Sequence, residues 1–401
     1  MIRERQDAIK ELAGLIRWRI KFISNDHVMD GLDRLSDAME KREGKGLLLT
    51  TPIPYVIVGL TLLSLAGWMA GLVSPAMFVI LAVAQYVISF RNFRKTNKAM
   101  RVGERLHKEC GRYLCILRDI EAADFKSDLL RRCKRCLFDK ETGSVSAFGS
   151  LSRILGLYDL RGNDLMYILL NGIMMYDVFV SRMFFDWIEK YAKHIPEWTD
   201  AVAEIDAMVS LGTYAFNHPS STYATVSDKS SDKIVEALDI IHPFLANRRG
   251  VPNSFTLRRN NMAIVTGANM AGKSTFLRTI GISYVLAANG APVCASKFAF
   301  VPVSLFSSMR TTDNLSEDTS YFQAELSRLG QMLEYVRSRE FTLIILDEIL
   351  KGTNSLDKLK GSMLVLEELS KYAVSGIIAT HDLAIAELGG EISGQVSGLS
   401  L

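Results

Sequence analysis

The sequence predicts an α/β domain behind a mainly α-helical region that contains a transmembrane helical hairpin. Three observations carry this prediction. "MAIVTGANMAGKSTFLRTIG" (262–281) runs from a short apolar segment through a glycine-bearing loop into a helical pattern. Two further apolar runs, "FTLIILDE" (341–348) and "VSGIIATHD" (374–382), read as buried strands that end in polar, chemistry-bearing residues. No charged residue occurs between Gly46 and Arg91, where two apolar stretches flank a Ser-Pro turn at Ser74 and Pro75.

The length of 401 residues leaves room for two or three domains. A net charge of +3 with 23% charged residues lacks the local basic excess of a dedicated DNA-binding surface and leaves the partner open. Basic clusters such as "RNFRK" and "RRCKR" do not distinguish DNA from lipid headgroups. Five cysteines, an odd number without framework spacing, fit reduced thiols in a cytosolic compartment. "CKRC" at Cys133 and Cys136 would be half of a zinc site only with a second Cys or His pair, and none lies nearby in the sequence.

Along the chain, residues 1–46 read as a helical segment and 47–91 as the hairpin. Each half of the hairpin is about long enough to cross a bilayer as a helix, the form in which lipid leaves no backbone amide unsatisfied. "EKREGK" precedes it and "RNFRKTNK" follows, so both ends are expected to stay on the cytoplasmic side of the inner membrane. Gly67 and Gly71 form a GxxxG step for close helix packing. The bland alternative is a buried helical pair in a soluble core. "LMYILLNGIMMYDVFVSRMFFDW", from Leu165, carries Asp177, Arg182 and Asp186. Because each charge at mid-bilayer costs roughly 2.5–3.5 kcal/mol, this run reads as a core helix. Residues 92–216 are helical in pattern, and "NHPSSTYATVSDKSSDK" (217–233) breaks the periodicity and marks a domain boundary. The α/β domain then covers 217–389, with 390–401 as a tail.

The chemistry lies in this domain. "GANMAGKS" fits G-x-x-x-x-G-K-S. Gly267 and Gly272 let the backbone wrap phosphates, the following helix N-terminus favours negative charge, Lys273 reaches the terminal phosphates and Ser274 ligates magnesium. Asp347 is the second magnesium-holding group, and Glu348 polarises the attacking water. His381 falls just past a strand end, where parallel sheets gather ligand-binding groups, and its neutral imidazole would sense the terminal phosphate.

These residues also carry a family resemblance. From "HPFLANRRGVPNSFTLRRNNMAIVTGANMAGKSTFLR" through "LIILDEILKGTNSLDK" to "IIATHDLAIAEL", the sequence resembles the ATPase domain of the MutS family, a P-loop ATPase domain of the MutS/ABC type. Asn269 and Met270 match the Asn-Met core of that family's extended P-loop, while Ala268 and Ala271 stand where Pro and Gly are common. The resemblance implies ATP and Mg2+ as cofactors, held by the loop from Gly267 to Thr275. It further implies a homodimer with composite sites, because "DTSYFQAEL" matches the segment whose serine, here Ser320, reaches the partner's nucleotide. "KGTNSLDK" resembles the loop that couples the two sites, with Lys351 where Arg is frequent. "RERQDAIKEL" and "AVAEIDAMVSLGTYAF" (201–216) resemble the ends of the family's core and lever helices, so dimer closure is expected to move levers, with mismatched or branched DNA a possible partner. No mismatch-inserting module precedes "RERQDAIKEL", and the chain stops soon after His381, which suggests a fragment of a membrane-inserted branch. The alternative functions are an ABC-type transport ATPase and a membrane-anchored regulator that binds no DNA.

Overall fold

The computed structural model describes residues 1–25, 51–138, 143–159, 164–246, 250–268, 271–309, 321–350, 354–381 and 396–400. Their helices are α1 (Ile2–Gly14), α2 (Ile16–Ser24), α3 (Ile53–Met69), α4 (Pro75–Ala122), α5 (Asp128–Leu137), α6 (Ser144–Asp159), α7 (Asp164–Met174), α8 (Tyr176–Tyr191), α9 (Ile195–Asn217), α10 (Lys273–Ala288), α11 (Tyr321–Arg337) and α12 (Ser355–Ser370). The chain divides into a helical unit, Gly14–Val209, and an α/β unit made of Met1–Ala13 with Ser210–Leu401.

In the helical unit α4 is the spine, packed against α3, α6, α7 and α8. Its core is aromatic: Tyr113 meets Phe148 edge-on at 4.6 Å, and Phe148 contacts Trp187 and Trp198. The indole N–H of Trp187 donates to the Ala147 carbonyl at 2.7 Å, so this buried ring keeps its one polar atom satisfied. Helix α5 buries Leu129, Leu130, Cys133 and Leu137 at helical spacing, and burial pushes the Cys133 thiol up to about 11. Among the described residues no group of three or more His, Cys, Asp and Glu is placed to hold a metal, so "CKRC" acquires no partner pair.

The expected transmembrane hairpin requires correction. Helix α3 and the apolar start of α4 do form a helix pair around the Ser-Pro turn, where the Ser74 hydroxyl accepts the Ala76 N–H at 3.3 Å and Pro75 opens the helix. However, no single described helix is long and apolar enough to cross a membrane. The apolar segments Ile53–Met69 and Pro75–Arg91 each reach about 25 Å at 1.5 Å per residue, against a hydrocarbon core of about 30 Å. The run from Leu165 is also corrected, because it is not one core helix. It breaks at Met175, whose φ of 48° is left-handed, into α7 and α8. Helix α8 buries Val178, Phe184 and Trp187, whereas α7 leaves Leu165, Met166, Ile168 and Leu169 exposed.

The α/β unit is built on a five-stranded parallel sheet in the order β11 (Val396–Ser400), β5 (Met262–Thr266), β10 (Val374–Ala379), β9 (Thr342–Asp347), β8 (Ser304–Ser308). Strands β5, β9 and β10 are buried at every position, because both faces of the sheet are covered. On one face Ala263, Val265, Leu343, Ile345 and Ile377 pack against Phe276, Leu277, Ile280 and Tyr284 of α10. On the other, Ile264, Ile344, Leu346 and Ile378 pack against Met332 and Val336 of α11 and Leu366 and Leu369 of α12. A second sheet, ordered β2 (Thr225–Val226), β7 (Lys297–Phe300), β3 (Lys233–Ile240), β4 (Asn253–Arg258), joins the first core through Val235, Ala237, Phe255 and Phe298. A short antiparallel pair, β1 (Thr222–Tyr223) with β6 (Pro292–Val293), lies in the same unit. Helix α1 docks through the Gln6 amide, which donates to the Ala224 carbonyl at 2.7 Å.

Candidate functional site

Parallel strands deliver their following loops to one edge of the sheet, so the ends of β5, β9 and β10 bring three separate sequence segments together. The registers fix how closely. Ala379 of β10 pairs with both Val265 of β5 and Asp347 of β9. Past the strands, the Thr380 N–H donates to the Val265 carbonyl and the Glu348 N–H to the Ala379 carbonyl, both at 3.0 Å. Gly267, Asp347 with Glu348, and His381 therefore emerge side by side.

The loop after β5 turns sharply into α10. The Ala271 N–H donates to the Ala268 carbonyl at 3.2 Å, and Gly272 at φ 100° takes the left-handed conformation that opens the helix. This directs Lys273, the first helical residue, inward. Its ammonium is buried and donates to the carbonyls of Gly267 at 2.7 Å and Ala268 at 2.9 Å, with His381 Nδ1 at 3.3 Å. One residue on, the Ser274 hydroxyl donates to Asp347 Oδ1 at 3.0 Å. Thr275 is exposed in the first turn.

Glu348 sits at φ 65°, an uncommon conformation for a residue with a β-carbon that costs on the order of 1–3 kcal/mol. That geometry aims its carboxylate at His381, with Nε2 to Oε1 at 3.0 Å. The hydrogen-bond directions fix the imidazole tautomer. Facing an ammonium, Nδ1 must accept, so Nε2 carries the proton and donates to Glu348. A directed chain results, from the Lys273 ammonium through neutral His381 to the Glu348 carboxylate.

Of the residues expected from the sequence, Gly267, Ala268, Ala271, Gly272, Lys273, Ser274, Thr275, Asp347, Glu348 and His381 are brought to this one edge. Asn269, Met270, Ser320 and Lys351 lie outside the described residues. In the segment after the carboxylates, Asn354 caps α12 by accepting the Asp357 N–H at 2.9 Å. The sequence reading missed Tyr284. Phe276, Ile280 and Tyr284 recur every four residues along α10, and the tyrosine hydroxyl at the end of that buried stripe is anchored to Val301 and Val303. The available signal was an amphipathic ring on an apolar stripe, which needs a partner for its polar tip.

The residue set fits a magnesium nucleotide. A hydroxyl and a carboxylate, the hard oxygen donors that Mg2+ takes, already touch, and a buried ammonium stands beside them. Ser274 and Asp347 would hold Mg2+ there, and the ion would supply positive charge against a phosphate group.

Comparison with known proteins agrees with the geometry. Residues 263–398 match the family model for MutS domain V. The chain is 32% identical over 230 residues to the DNA mismatch repair protein MutS of Lachnoclostridium phytofermentans, covering 55% of this chain and 24% of that protein. It is 30% identical over 219 residues to the same-named protein of Protochlamydia amoebophila, covering 52% and 25%. A third such protein, from Alkaliphilus metalliredigens, is 30% identical over 221 residues, covering 53% and 25%. The chain thus spans about a quarter of the length of these relatives. Residues 263–398 are thus similar to MutS domain V, and the chain is similar to MutS proteins over about half of its own length.

Proposed function

We propose that this chain binds and hydrolyses ATP with Mg2+ and couples the closure of a dimer to movement of its helices during DNA handling. The observation that carries the reading is the convergence of Lys273, Ser274, Asp347, Glu348 and His381 at one sheet edge, with Ser274 and Asp347 at 3.0 Å. Ser274 and Asp347 would hold the metal, and Lys273 would neutralise phosphate charge. Glu348 would accept a proton from the attacking water once its carboxylate is released from His381. His381 would report the occupancy of the site by exchanging that contact for a phosphate oxygen.

The dimer, in which Ser320 completes the partner's site, and the action on mismatched or branched DNA follow from the family resemblance and from relatives named as mismatch repair proteins. Those relatives favour DNA handling over the transport alternative. The uncharged run between Gly46 and Arg91 with its basic flanks supports placement at the inner membrane, with the α/β unit in the cytoplasm.

The test is Mg-ATP turnover by the full chain and by Glu348→Gln. The variant is expected to retain ATP binding and lose turnover; equal turnover in the two proteins overturns the role given to Glu348. Addition of matched, mismatched and branched duplexes then tests the DNA reading, for which stimulation by at least one duplex is the expected result.

A further inference from the structure

Helices α3, α7, α8 and the apolar start of α4 pack as one cluster that encloses a set of polar side chains and leaves many apolar ones outside. Its interior holds polar side chains beside the apolar Met175 and Val178. Thr61, Gln85, Ser89, Asn171 and Ser181 are 0% exposed, and Ser64 and Asp177 are also buried. Most of these groups bond to one another or to the backbone. The Gln85 amide donates to Thr61 Oγ1 at 2.5 Å and to the Ile57 carbonyl at 3.1 Å, linking α4 to α3. Ser64 donates to the Thr61 carbonyl at 2.7 Å, and the Asn171 side-chain Oδ1 accepts the Asp177 N–H at 3.0 Å across the α7–α8 break. The outside is apolar, with Leu63 69%, Ile80 67% and Leu165 71% exposed. At the hairpin turn, Met69 and Leu72 are about as exposed.

A protein partner covers one face of a helix, whereas lipid covers every direction left open. Leu60, Leu62 and Leu63 of α3 together span an arc of about 160°, at about 100° per residue, and all three are exposed. The ends also differ from the middle. Trp68 stacks near Phe78 beside the turn. At the opposite end Tyr55 meets Phe179, and Arg182 lies over the Tyr55 ring while donating to the Thr51 carbonyl. Aromatic rings at both ends and an arginine held at one are the anchors of a bilayer interface. Polar side chains turned inward are how intramembrane helices satisfy them. Helices α7 and α8–α9 are together apolar and long enough to enter a membrane, but bent by 80°.

We infer that the surface of this four-helix cluster is covered by the acyl chains of a phospholipid bilayer, and that α7 is embedded together with the α3–α4 pair. The inference rests on the membrane placement proposed above and extends it. The embedded part is a short, bent unit that keeps its polar side chains inside, which reconciles helices of about 25 Å with an apolar outer surface.

The experiment uses the full chain in vesicles of phosphatidylcholine and phosphatidylglycerol, with or without bromine on the acyl chains. Leu63→Trp on α3 and Leu169→Trp on α7 are each made in a Trp68→Phe background. Circular dichroism equal to the parent's confirms that each variant folds. The expected result is co-flotation with vesicles and loss of the added emission in brominated lipid for both variants. Quenching at residue 63 without quenching at 169 would overturn the inference while leaving the membrane placement standing. A chain that stays in solution without vesicles, as a monomer or with the cluster covered by a second copy, would overturn both.

Discussion

Tyr284→Phe isolates one hydroxyl that fixes α10, the helix following the loop that ends at Gly272. The ring is fully buried in the core that α10 shares with β5, β9 and β10, and phenylalanine fills the same volume, so no cavity term enters. Burial raises the phenol to about 12, so it is neutral and protonated throughout the working range. The oxygen accepts the Val303 N–H at 2.7 Å, and its single proton is directed at the carbonyls of Val301, 3.0 Å, and Val303, 2.9 Å. One donor serves both carbonyls, so the loss amounts to two hydrogen bonds rather than three. At roughly 0.5–1.5 kcal/mol each, the variant is expected to lose about 1–3 kcal/mol. For a unit of this size that lowers the melting temperature by about 2–4 °C per kcal/mol. The assay is thermal unfolding of the full chain followed by circular dichroism, with Mg-ATP affinity measured on the same samples. The melting temperature should fall while the affinity stays unchanged, because the hydroxyl lies at the far end of α10 from Lys273. An unchanged melting temperature would show that the hydroxyl contributes nothing beyond its ring and would refute the anchoring argument.

Ser274→Ala removes the Asp347 contact and, on the proposed reading, a metal-holding hydroxyl, so the Mg2+ concentration that supports half-maximal ATP turnover should rise by about 10–100-fold; an unshifted Mg2+ titration contradicts the role. Gly290→Ala places a β-carbon 2.7 Å from Arg5 Cβ and 3.0 Å from the Gln6 nitrogen, at a φ of +83°, so it should destabilise the α/β unit by about 1–3 kcal/mol in urea titration. A midpoint equal to the parent's would mean that α1 yields without cost. Hydrogen bonds from Lys233 and then Lys297 hold the Glu236 carboxyl down at about 2. Its folded value lies below the unfolded value of about 4.3, so its stabilising contribution is present above about pH 4 and is lost as the pH falls towards 2. Glu236→Gln should flatten that part of the acid-unfolding profile, and an unchanged slope would assign it to other carboxylates.

The site was legible because its strands are buried on both faces. Such strands read as unbroken apolar runs, and in a parallel sheet each run must end at the same edge, so "MAIVT", "FTLIILD" and "VSGIIAT" announce where their following residues meet. The pairing of His381 with Glu348 was not legible, since it depends on a left-handed φ at Glu348 that no residue type at that position signals. Strand β4 was equally hidden. "NSFTLR" alternates over only six residues, and its partner β3 shifts register within Ala237–Ile240, so long-range pairing decides what local pattern does not. The run after Leu165 failed for a different reason. The cost of its charges at mid-bilayer argues for one core helix, but the break at Met175 lets the two halves meet different surroundings. Helical periodicity states that a helix has two faces, yet it does not name the solvent of either. Only packing does, and here it buries Gln85, Asn171 and Ser181 while exposing Leu63, Ile80 and Leu165. The same composition that fits a buried core therefore fits an inverted one, and the choice between water and lipid outside is made by which side chains the neighbouring helices enclose.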